Sequence, residues 1–196
     1  MKKCNDVFLY KLLRPLITIL FKIIYRPKIV GASNISKSER IILAGNHNND
    51  MDSAFLISCT KRNVHFLAKI ELFKGIKKIF FKNMGLIPVD RSKKNPDALK
   101  IACEYLNNDK VIGIFPEGTF GKGKILPFKM GAVKMAYETN SKIVPFAITG
   151  DFKMFSKNLK IEFGKPIKIK SDDLEKENEK LRNIVVKMVS DNNEHI

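Results

Sequence analysis

The chain has 196 residues, 44% of them hydrophobic, which is enough for one globular domain with a full core. Lys and Arg number 36 against 20 Asp and Glu, and the net charge of +16 predicts an anionic partner such as nucleic acid, an acidic membrane surface or a phosphorylated substrate. The 3 cysteines are too few and too scattered for a disulfide framework or a zinc site, which favours reduced thiols.

The N-terminal segment, residues 7–25, is apolar almost throughout. Its polar exceptions recur at steps of three and four, so on a helix they form one narrow, mainly cationic stripe: Lys11, Arg14, Thr18 and Lys22. The charges leave no uncharged run long enough to span a bilayer, and they also disfavour a signal peptide. We therefore predict an interfacial amphipathic helix within residues 1–27, its cations facing anionic lipid, with a core helix docked on the domain as the alternative.

From Lys28 onward, apolar strands and helical segments alternate, which predicts a single α/β domain over residues 28–196. The expected architecture is a largely parallel central sheet flanked by helices, with function at the loops beyond the carboxyl ends of the strands. The predicted strands are 41–44, 64–68, 86–89, 111–115, 143–148, 159–163 and 167–169, and the predicted helices are 52–60, 70–82, 96–108, 129–140 and 172–190. Pro145 interrupts an apolar run and predicts an edge strand or a bulge. The last helix is acidic and is expected to cover the far side of the sheet.

Residues 61–82 combine many lysines with interleaved phenylalanines and contain a single acid, Glu71. This pattern suits a second surface that faces a membrane or a phosphate. A solvated basic face is the alternative.

The stretch from Gly45 to Asp52 follows the strand at 41–44 and precedes a helix. His47 and Asp52 are five positions apart, which is roughly 140° around a regular helix, so the two could not share one helical face. With His47 in the loop and Asp52 in the first helical turn, the carboxylate can reach one ring nitrogen, and the other stays free to take a proton as a general base. A capping or surface role fits the same residues.

Three further strand ends carry polar groups. Residues 85–91 end on Arg91, whose guanidinium suits a phosphate or a carboxylate. Residues 115–119 form a turn in which Glu117 offers a carboxylate and Gly118 permits close backbone approach. Residues 144–150 contain the proline mentioned above. Taken singly, a structural role is favoured for each: a surface ion pair between Asp90 and Arg91, a turn at residues 115–119, and an edge strand at Pro145.

Together and in this order, the four segments resemble the four blocks of the glycerolipid acyltransferase family, in particular the 1-acyl-sn-glycerol-3-phosphate acyltransferases. Residues 66–73 and 126–132 are also similar to that family, and the resemblance covers about residues 28–165. It implies a membrane-associated enzyme on the cytoplasmic face of the cell membrane. The implied reaction moves a fatty acyl group from acyl-CoA or acyl carrier protein to the free hydroxyl of 1-acyl-sn-glycerol 3-phosphate, a lysophospholipid. The product is phosphatidic acid, a step of phospholipid biosynthesis. No cofactor, metal or nucleic-acid partner is expected.

The resemblance also implies roles for individual residues. His47 is the expected general base and Asp52 its partner. The acceptor and its phosphate are expected to be bound by Lys69, Arg91, Glu117, Gly118, Thr119, Lys122 and Lys129.

One departure from the family pattern matters for the acceptor. The family carries an arginine after the threonine of the third block, where this chain has Phe120. Its role would pass to Lys122, Lys124 or Lys129, or the acceptor would differ, for example glycerol 3-phosphate, another lysophospholipid or a non-phosphorylated alcohol. A catalytically silent membrane-surface lipid-binding protein is a further alternative. The charge would also allow nucleic-acid binding, but no recognised nucleic-acid-binding motif is present.

Overall fold

The computed structural model describes residues 7–75, 77–90, 96–121 and 123–193. The helices in these ranges are α1 (Phe8–Ile24), α2 (Asp52–Cys59), α3 (Lys77–Asn83), α4 (Pro96–Asn107), α5 (Gly131–Thr139) and α6 (Leu174–Asn193). The strands are β1 (Lys28–Val30), β2 (Ile41–Gly45), β3 (Val64–Lys69), β4 (Ile87–Val89), β5 (Val111–Ile114), β6 (Lys142–Thr149), β7 (Lys160–Phe163) and β8 (Ile167–Lys168). Short 3-10 turns lie at Ala32–Asn34 and Ile70–Phe73.

The strands form one mixed sheet in the order β1-β7-β6-β2-β5-β3-β4, with β8 also paired to β6. The five strands from β6 to β4 run parallel, whereas β7 and β8 are antiparallel to β6. The predicted α/β class with a largely parallel central sheet is therefore confirmed. Because the parallel strands share one direction, the loops after β2, β3, β4, β5 and β6 emerge at the same edge of the sheet.

Strand β2 lies at the centre of this sheet and is buried on both faces. Ile41 and Leu43 face a cluster that includes residues of α1 and α2, while Ile42 and Ala44 face the cluster formed with α4, α5 and α6. A strand covered on both sides reads as a continuous apolar run, which is why β2 was recognisable from sequence. The acidic helix α6 covers the sheet face opposite α1 and α2, as expected.

Pro145 does not lie in an edge strand, so that part of the prediction is wrong. The alternative, a bulge, fits the pairing, because the three residues 164–166 lie opposite residues 144 and 145, between the β8 and β7 pairs. It lies in β6, which pairs with β2 on one side and with both β7 and β8 on the other. Its carbonyl accepts the amide of Gly164 at 2.8 Å, in the gap between β8 and β7. The amide and carbonyl of a strand residue point to the same side, so the donor that proline lacks would also face this gap.

The predicted helix over 70–82 is divided into the 3-10 turn and α3. Between them Gly75 adopts φ +57, a left-handed conformation that ends the first turn. The short strand β1 and the 3-10 turn at Ala32–Asn34 were not predicted. Three apolar or basic residues carry too little periodicity to be recognised.

Helix α1 docks on α2 through its buried residues Tyr10 and Phe21 and through part of its polar stripe. Arg14 donates to the carbonyl of Lys61 at 2.5 Å, and Thr18 donates to the carbonyl of Ser58 at 3.3 Å. Thr18 therefore contacts α2 and Arg14 contacts the segment after it, so α1 is docked on the domain, as the alternative expected. The orientation of the stripe's cations toward lipid stays a prediction. Ser58 lies in the last turn of α2, where carbonyls lack intrahelical partners and accept other donors.

The opposite side of α1 is apolar and exposed. Its residues recur at steps of three and four and form one continuous face: Phe8, Leu12, Leu16, Ile19, Leu20 and Ile23. Among the described residues, no helix combines the length and the apolar character that crossing a membrane requires.

Candidate active site

The loop after β2 carries His47, and α2 begins at Asp52. The Nδ1 atom of His47 lies 2.9 Å from Oδ2 of Asp52, so the contact predicted from the spacing is present. Asp52 is only 1% exposed and occupies the first turn of α2, where the helix dipole favours a negative charge. The central strand thus ends on an imidazole held by a buried acid.

The same carboxylate oxygen also receives two backbone amides of the loop. The amides of Asn48 and Asn49 donate to Oδ2 of Asp52 at 2.7 and 2.9 Å. An oxygen that accepts these donors can only accept from the ring as well, which places the His47 proton on Nδ1 and leaves Nε2 with its lone pair. The arrangement gives the imidazole a fixed tautomer with a basic nitrogen directed away from Asp52.

Glu117 fixes the backbone on which the imidazole is mounted. Its Oε1 accepts the amide of His47 at 2.8 Å, its Oε2 accepts the amide of Leu126 at 2.8 Å, and the residue is 4% exposed. Gly121 donates to the carbonyl of His47 at 2.8 Å, so the loop after β5 holds both polar groups of the His47 backbone. A Cβ on Gly121 would lie 2.7 Å from Oε2 of Glu117 and 2.0 Å from the carbonyl oxygen of Lys124, so only glycine fits there.

Two phenyl rings enclose the imidazole. Phe115 stacks on His47 with 4.0 Å between ring centroids and 15° between planes, and Phe120 approaches edge-on at 4.5 Å and 62°. The imidazole side chain retains 18% exposure. Stacking on one side and an edge contact on the other restrict the ring to one rotamer while part of it stays open.

The other residues predicted to bind substrate lie in two places. Gly118 has φ +71, and a Cβ there would come 2.7 Å from Nζ of Lys129, so this ammonium lies directly against the glycine, in the loop that holds His47. Thr119 is exposed in the same loop. Lys69 is the exposed last residue of β3, at the same edge of the sheet but two strands from β2, or roughly 10 Å. Arg91 and Lys122 lie outside the described residues.

Asn46 was not assigned a role from sequence. Its side-chain amide donates to the carbonyl of Ile148 at 2.8 Å, and its oxygen accepts the amide of Ile148 at 2.8 Å. This pair extends the β2–β6 ladder past Gly45 and fixes the point where the loop leaves the sheet. A buried asparagine directly after a central strand is the signal that could have indicated such a role.

Gly85, the first residue of the second block, lies just before β4, at the sheet edge opposite the one that carries His47. Its φ is +71, and its carbonyl lies 2.8 Å from Nδ1 of the buried His65. Burial lowers the pKa of His65, which is therefore neutral at pH 7.

Burial raises the pKa of Cys59 and of Cys103 to about 12, so both thiols stay protonated. Among the described residues, no group of three His, Cys, Asp or Glu side chains is placed to hold a metal ion.

A histidine oriented by a buried acid, at the carboxyl edge of a parallel sheet, defines the class of enzymes that use an imidazole as general base. A family model described as acyltransferase matches residues 26–149. The chain therefore belongs to the acyltransferase family, which confirms the resemblance and the predicted enzyme class at the level of the family.

Several curated relatives carry the same name. The 1-acyl-sn-glycerol-3-phosphate acyltransferase of Bacillus subtilis is 30% identical over 147 residues, which cover 71% of this chain and 73% of that protein. The protein of the same name from Borreliella burgdorferi is 33% identical over 135 residues, which cover 67% of this chain and 54% of the relative. The chain thus spans only about half of some of its relatives.

The fold has a solved counterpart. The crystal structure of the 1-acyl-sn-glycerophosphate acyltransferase from Thermotoga maritima superimposes with a TM-score of 0.75, at 23% identity, and covers 93% of this chain and 79% of that one. At this identity the similarity shows the fold alone.

Proposed function

We propose that this chain transfers a fatty acyl group from a thioester, acyl-CoA or acyl carrier protein, to the free hydroxyl of 1-acyl-sn-glycerol 3-phosphate, giving phosphatidic acid. The contact between His47 and Asp52 carries the proposal, because it presents a free basic nitrogen in a family of acyl-transfer enzymes. The names of the relatives support the acceptor.

The chemistry requires one proton transfer and one bond exchange. Nε2 of His47 takes the proton of the acceptor hydroxyl as the oxygen attacks the thioester carbonyl. The carbon–oxygen bond forms, the carbon–sulfur bond breaks, and the proton passes to the departing thiolate. Asp52 stabilises the imidazolium that exists between these steps, as the aspartate does in a hydrolase triad. The attacking hydroxyl belongs to the substrate, so no covalent acyl-enzyme is needed.

Recognition of the acceptor phosphate is assigned to the loop after β5. Lys129 places its ammonium against Gly118, in space that a side chain at this position would occupy, and this ammonium is the proposed phosphate ligand. Thr119 is exposed beside it, and Lys69 adds a cation at the same edge of the sheet. Glu117 is better suited to positioning than to acceptor binding, since both of its oxygens accept amides of the chain itself. Arg91 and Lys122 remain predicted phosphate ligands.

Docking on an anionic membrane surface at the cytoplasmic side is the proposed location. The apolar face of α1 is exposed, and Lys11 and Lys22 flank it as exposed cations. A helix with such a face binds at the level of the headgroups through buried apolar area and attraction to anionic lipid. This arrangement would bring the enzyme to a lipid acceptor without a spanning helix.

The proposal is tested by acyl transfer with purified protein and a panel of acceptors. We expect turnover with 1-acyl-sn-glycerol 3-phosphate, and His47→Ala should lower kcat by roughly 10²- to 10⁴-fold. Tyr137→Ala, at an exposed position of α5, is the control and should leave kcat unchanged. Full turnover by His47→Ala would exclude the general-base role.

The same panel distinguishes the alternatives. Preference for glycerol 3-phosphate, another lysophospholipid or a non-phosphorylated alcohol would identify a different acceptor, an alternative that Phe120 keeps open because a phenyl ring cannot bind phosphate as arginine does. No thioester consumption with any acceptor would favour a lipid-binding protein.

A further inference from the structure

The loop that joins β6 to β7, residues 150–158, carries two large apolar side chains that the proposed reaction does not use. Met154 is 63% exposed and Phe155 is 60% exposed. Both lie at a loop tip between two strands, where polar residues are the rule. Isolated exposed apolar residues are common, so the significance of this pair depends on what holds the loop and what lies beside it.

The loop is tightly closed. A Cβ on Gly150, whose φ is +79, would lie 2.0 Å from the carbonyl oxygen of Asn158, so the two ends of the loop are in contact. Ser156 donates from its hydroxyl to the carbonyl of Lys153 at 2.8 Å. Phe152 turns inward and packs edge-on against Phe21 and Phe55 in the core. The loop thus presents its tip in an ordered conformation, as a compact Ω-loop does.

The tip is attached to the C-terminal end of α1. The amide of Phe155 donates to the carbonyl of Ile24 at 2.7 Å, and the guanidinium of Arg26 lies 5.8 Å from the centroid of the Phe155 ring. Phe155, Lys157 and Arg26 have φ values of +62, +61 and +45, a region that L-residues avoid. Strained backbone of this kind persists where the surroundings enforce it, and here it turns an aromatic side chain toward solvent.

This attachment makes the loop tip continuous with the exposed face of α1, whose last exposed apolar residue is Ile23. The attachment also places the loop tip and the end of α1 at the sheet edge that carries His47. The loop starts two residues after Ile148, which is bonded to Asn46 beside His47. The hydroxyl of Tyr25, the residue after α1, lies 3.8 Å from the sulfur of Met51, the residue before Asp52.

The charges around this surface fit an anionic partner. Lys153 and Lys157 lie in the loop with one acid, Asp151, and Arg26, two residues after α1, borders the tip. Cations that border exposed apolar groups are the composition of surfaces that insert into anionic bilayers.

We propose that the tip of the 150–158 loop, Met154 and Phe155, is a second membrane-inserting element that binds the anionic lipid surface together with the C-terminal half of α1. The inference rests on the proposed membrane docking and extends it. Two contacts fix the orientation of a molecule on a plane, whereas one helix allows it to roll. With both inserted, the edge that carries His47 lies at the bilayer surface, where the acceptor hydroxyl is located.

The chain contains no tryptophan, which permits a direct test with a single fluorophore. Phe155→Trp places the probe at the loop tip, and Tyr137→Trp is the control, an exposed aromatic position on α5 at the opposite sheet face. With phosphatidylcholine vesicles that contain phosphatidylglycerol, the Phe155→Trp emission should shift to shorter wavelength and be quenched by lipids brominated on their acyl chains. Tyr137→Trp should show neither effect.

Partitioning gives an independent measurement. Met154→Ser/Phe155→Ser should lower the partition coefficient onto the same vesicles by roughly ten- to hundred-fold, the loss expected for one or two apolar side chains that no longer insert. Tyr137→Ser should not change it. Vesicles of phosphatidylcholine alone should bind the unaltered chain and the double-serine variant more weakly. Added salt should reduce the difference in partition coefficient between these vesicles and the anionic ones.

Three results would overturn the proposal. Phe155→Trp emission that is insensitive to vesicles, whether or not the protein sediments with them, would show that the tip does not insert. A blue shift without vesicles that grows with protein concentration would assign the tip to a second copy of the chain. Equal partitioning of the double-serine variant and the unaltered chain would show that α1 accounts for the membrane binding without the loop tip. None of these depends on catalysis, since Phe155→Trp in a His47→Ala background should keep the spectral shift.

Discussion

Glu117→Gln isolates the contribution of one buried carboxylate to the geometry of the proposed base. In the structure both oxygens accept backbone amides, one from His47 and one from Leu126, each at 2.8 Å. Glutamine keeps one acceptor and replaces the other with an amide group that can only donate. One of the two buried amides therefore loses its partner, and a donor is placed against it.

The magnitude follows from these two contacts. A buried donor left without a partner destabilises a protein by about 1–3 kcal/mol. For a chain of this length 1 kcal/mol corresponds to a change in Tm of roughly 2–4 °C, so Tm should fall by about 2–12 °C. Loss of the contact to His47 also frees the loop, and a displacement of the reacting group by ~1 Å can lower the rate by ~10²-fold. We expect kcat to fall roughly ten- to hundred-fold with the acceptor KM unchanged.

The assay separates kcat from KM for the acceptor at 25 °C, with Tm measured by circular dichroism. Glu104→Gln, at an exposed position of α4, makes the same chemical change and should alter neither quantity. A raised acceptor KM with unchanged kcat and Tm would refute the reasoning, because it would show that Glu117 contacts the substrate rather than the chain.

Three further predictions follow from the same contacts. Asp52→Asn removes the charge beside Nδ1 of His47 and should lower kcat by at least ~10-fold, the loss of one charge-assisted hydrogen bond, with little change in KM; an unaltered kcat would separate Asp52 from catalysis. Lys129→Met should raise KM for a phosphorylated acceptor and leave KM for a non-phosphorylated alcohol unchanged, and equal effects on both would contradict phosphate binding. Because burial lowers the folded-state pKa of His65, the unfolded chain binds a proton that the folded chain does not as pH falls below about 6.5, so stability should decrease there. In urea titrations at pH 7.5 and 5.5, His65→Gln should show a smaller loss of stability on acidification than the unaltered chain, and an equal loss would assign the effect to other groups.

Part of the fold could be predicted because its elements have strong local patterns. The buried run of β2 and the start of a helix at residues 53–57 located the loop between them, and the spacing of His47 and Asp52 then predicted their contact. Helix 70–82 was predicted as one element because its composition is uniform, whereas Gly75 divides it. Pro145 predicted an edge strand or a bulge, and the sequence could not decide between them because the two strands that leave a gap beside it, β8 and β7, lie further along the chain.

The sequence by itself determined the alternation of strands and helices, the block order that identifies the family, and the pair of residues proposed as the base and its partner. These are local properties, since each depends on residue types within a few positions of one another. The tertiary structure decided that Glu117 faces two amides, that Arg14 and Thr18 of the stripe turn inward, and that the 150–158 loop is attached to the end of α1. Most of these contacts join residues tens of positions apart, and no pattern along the chain encodes which distant carbonyl or amide a side chain will meet.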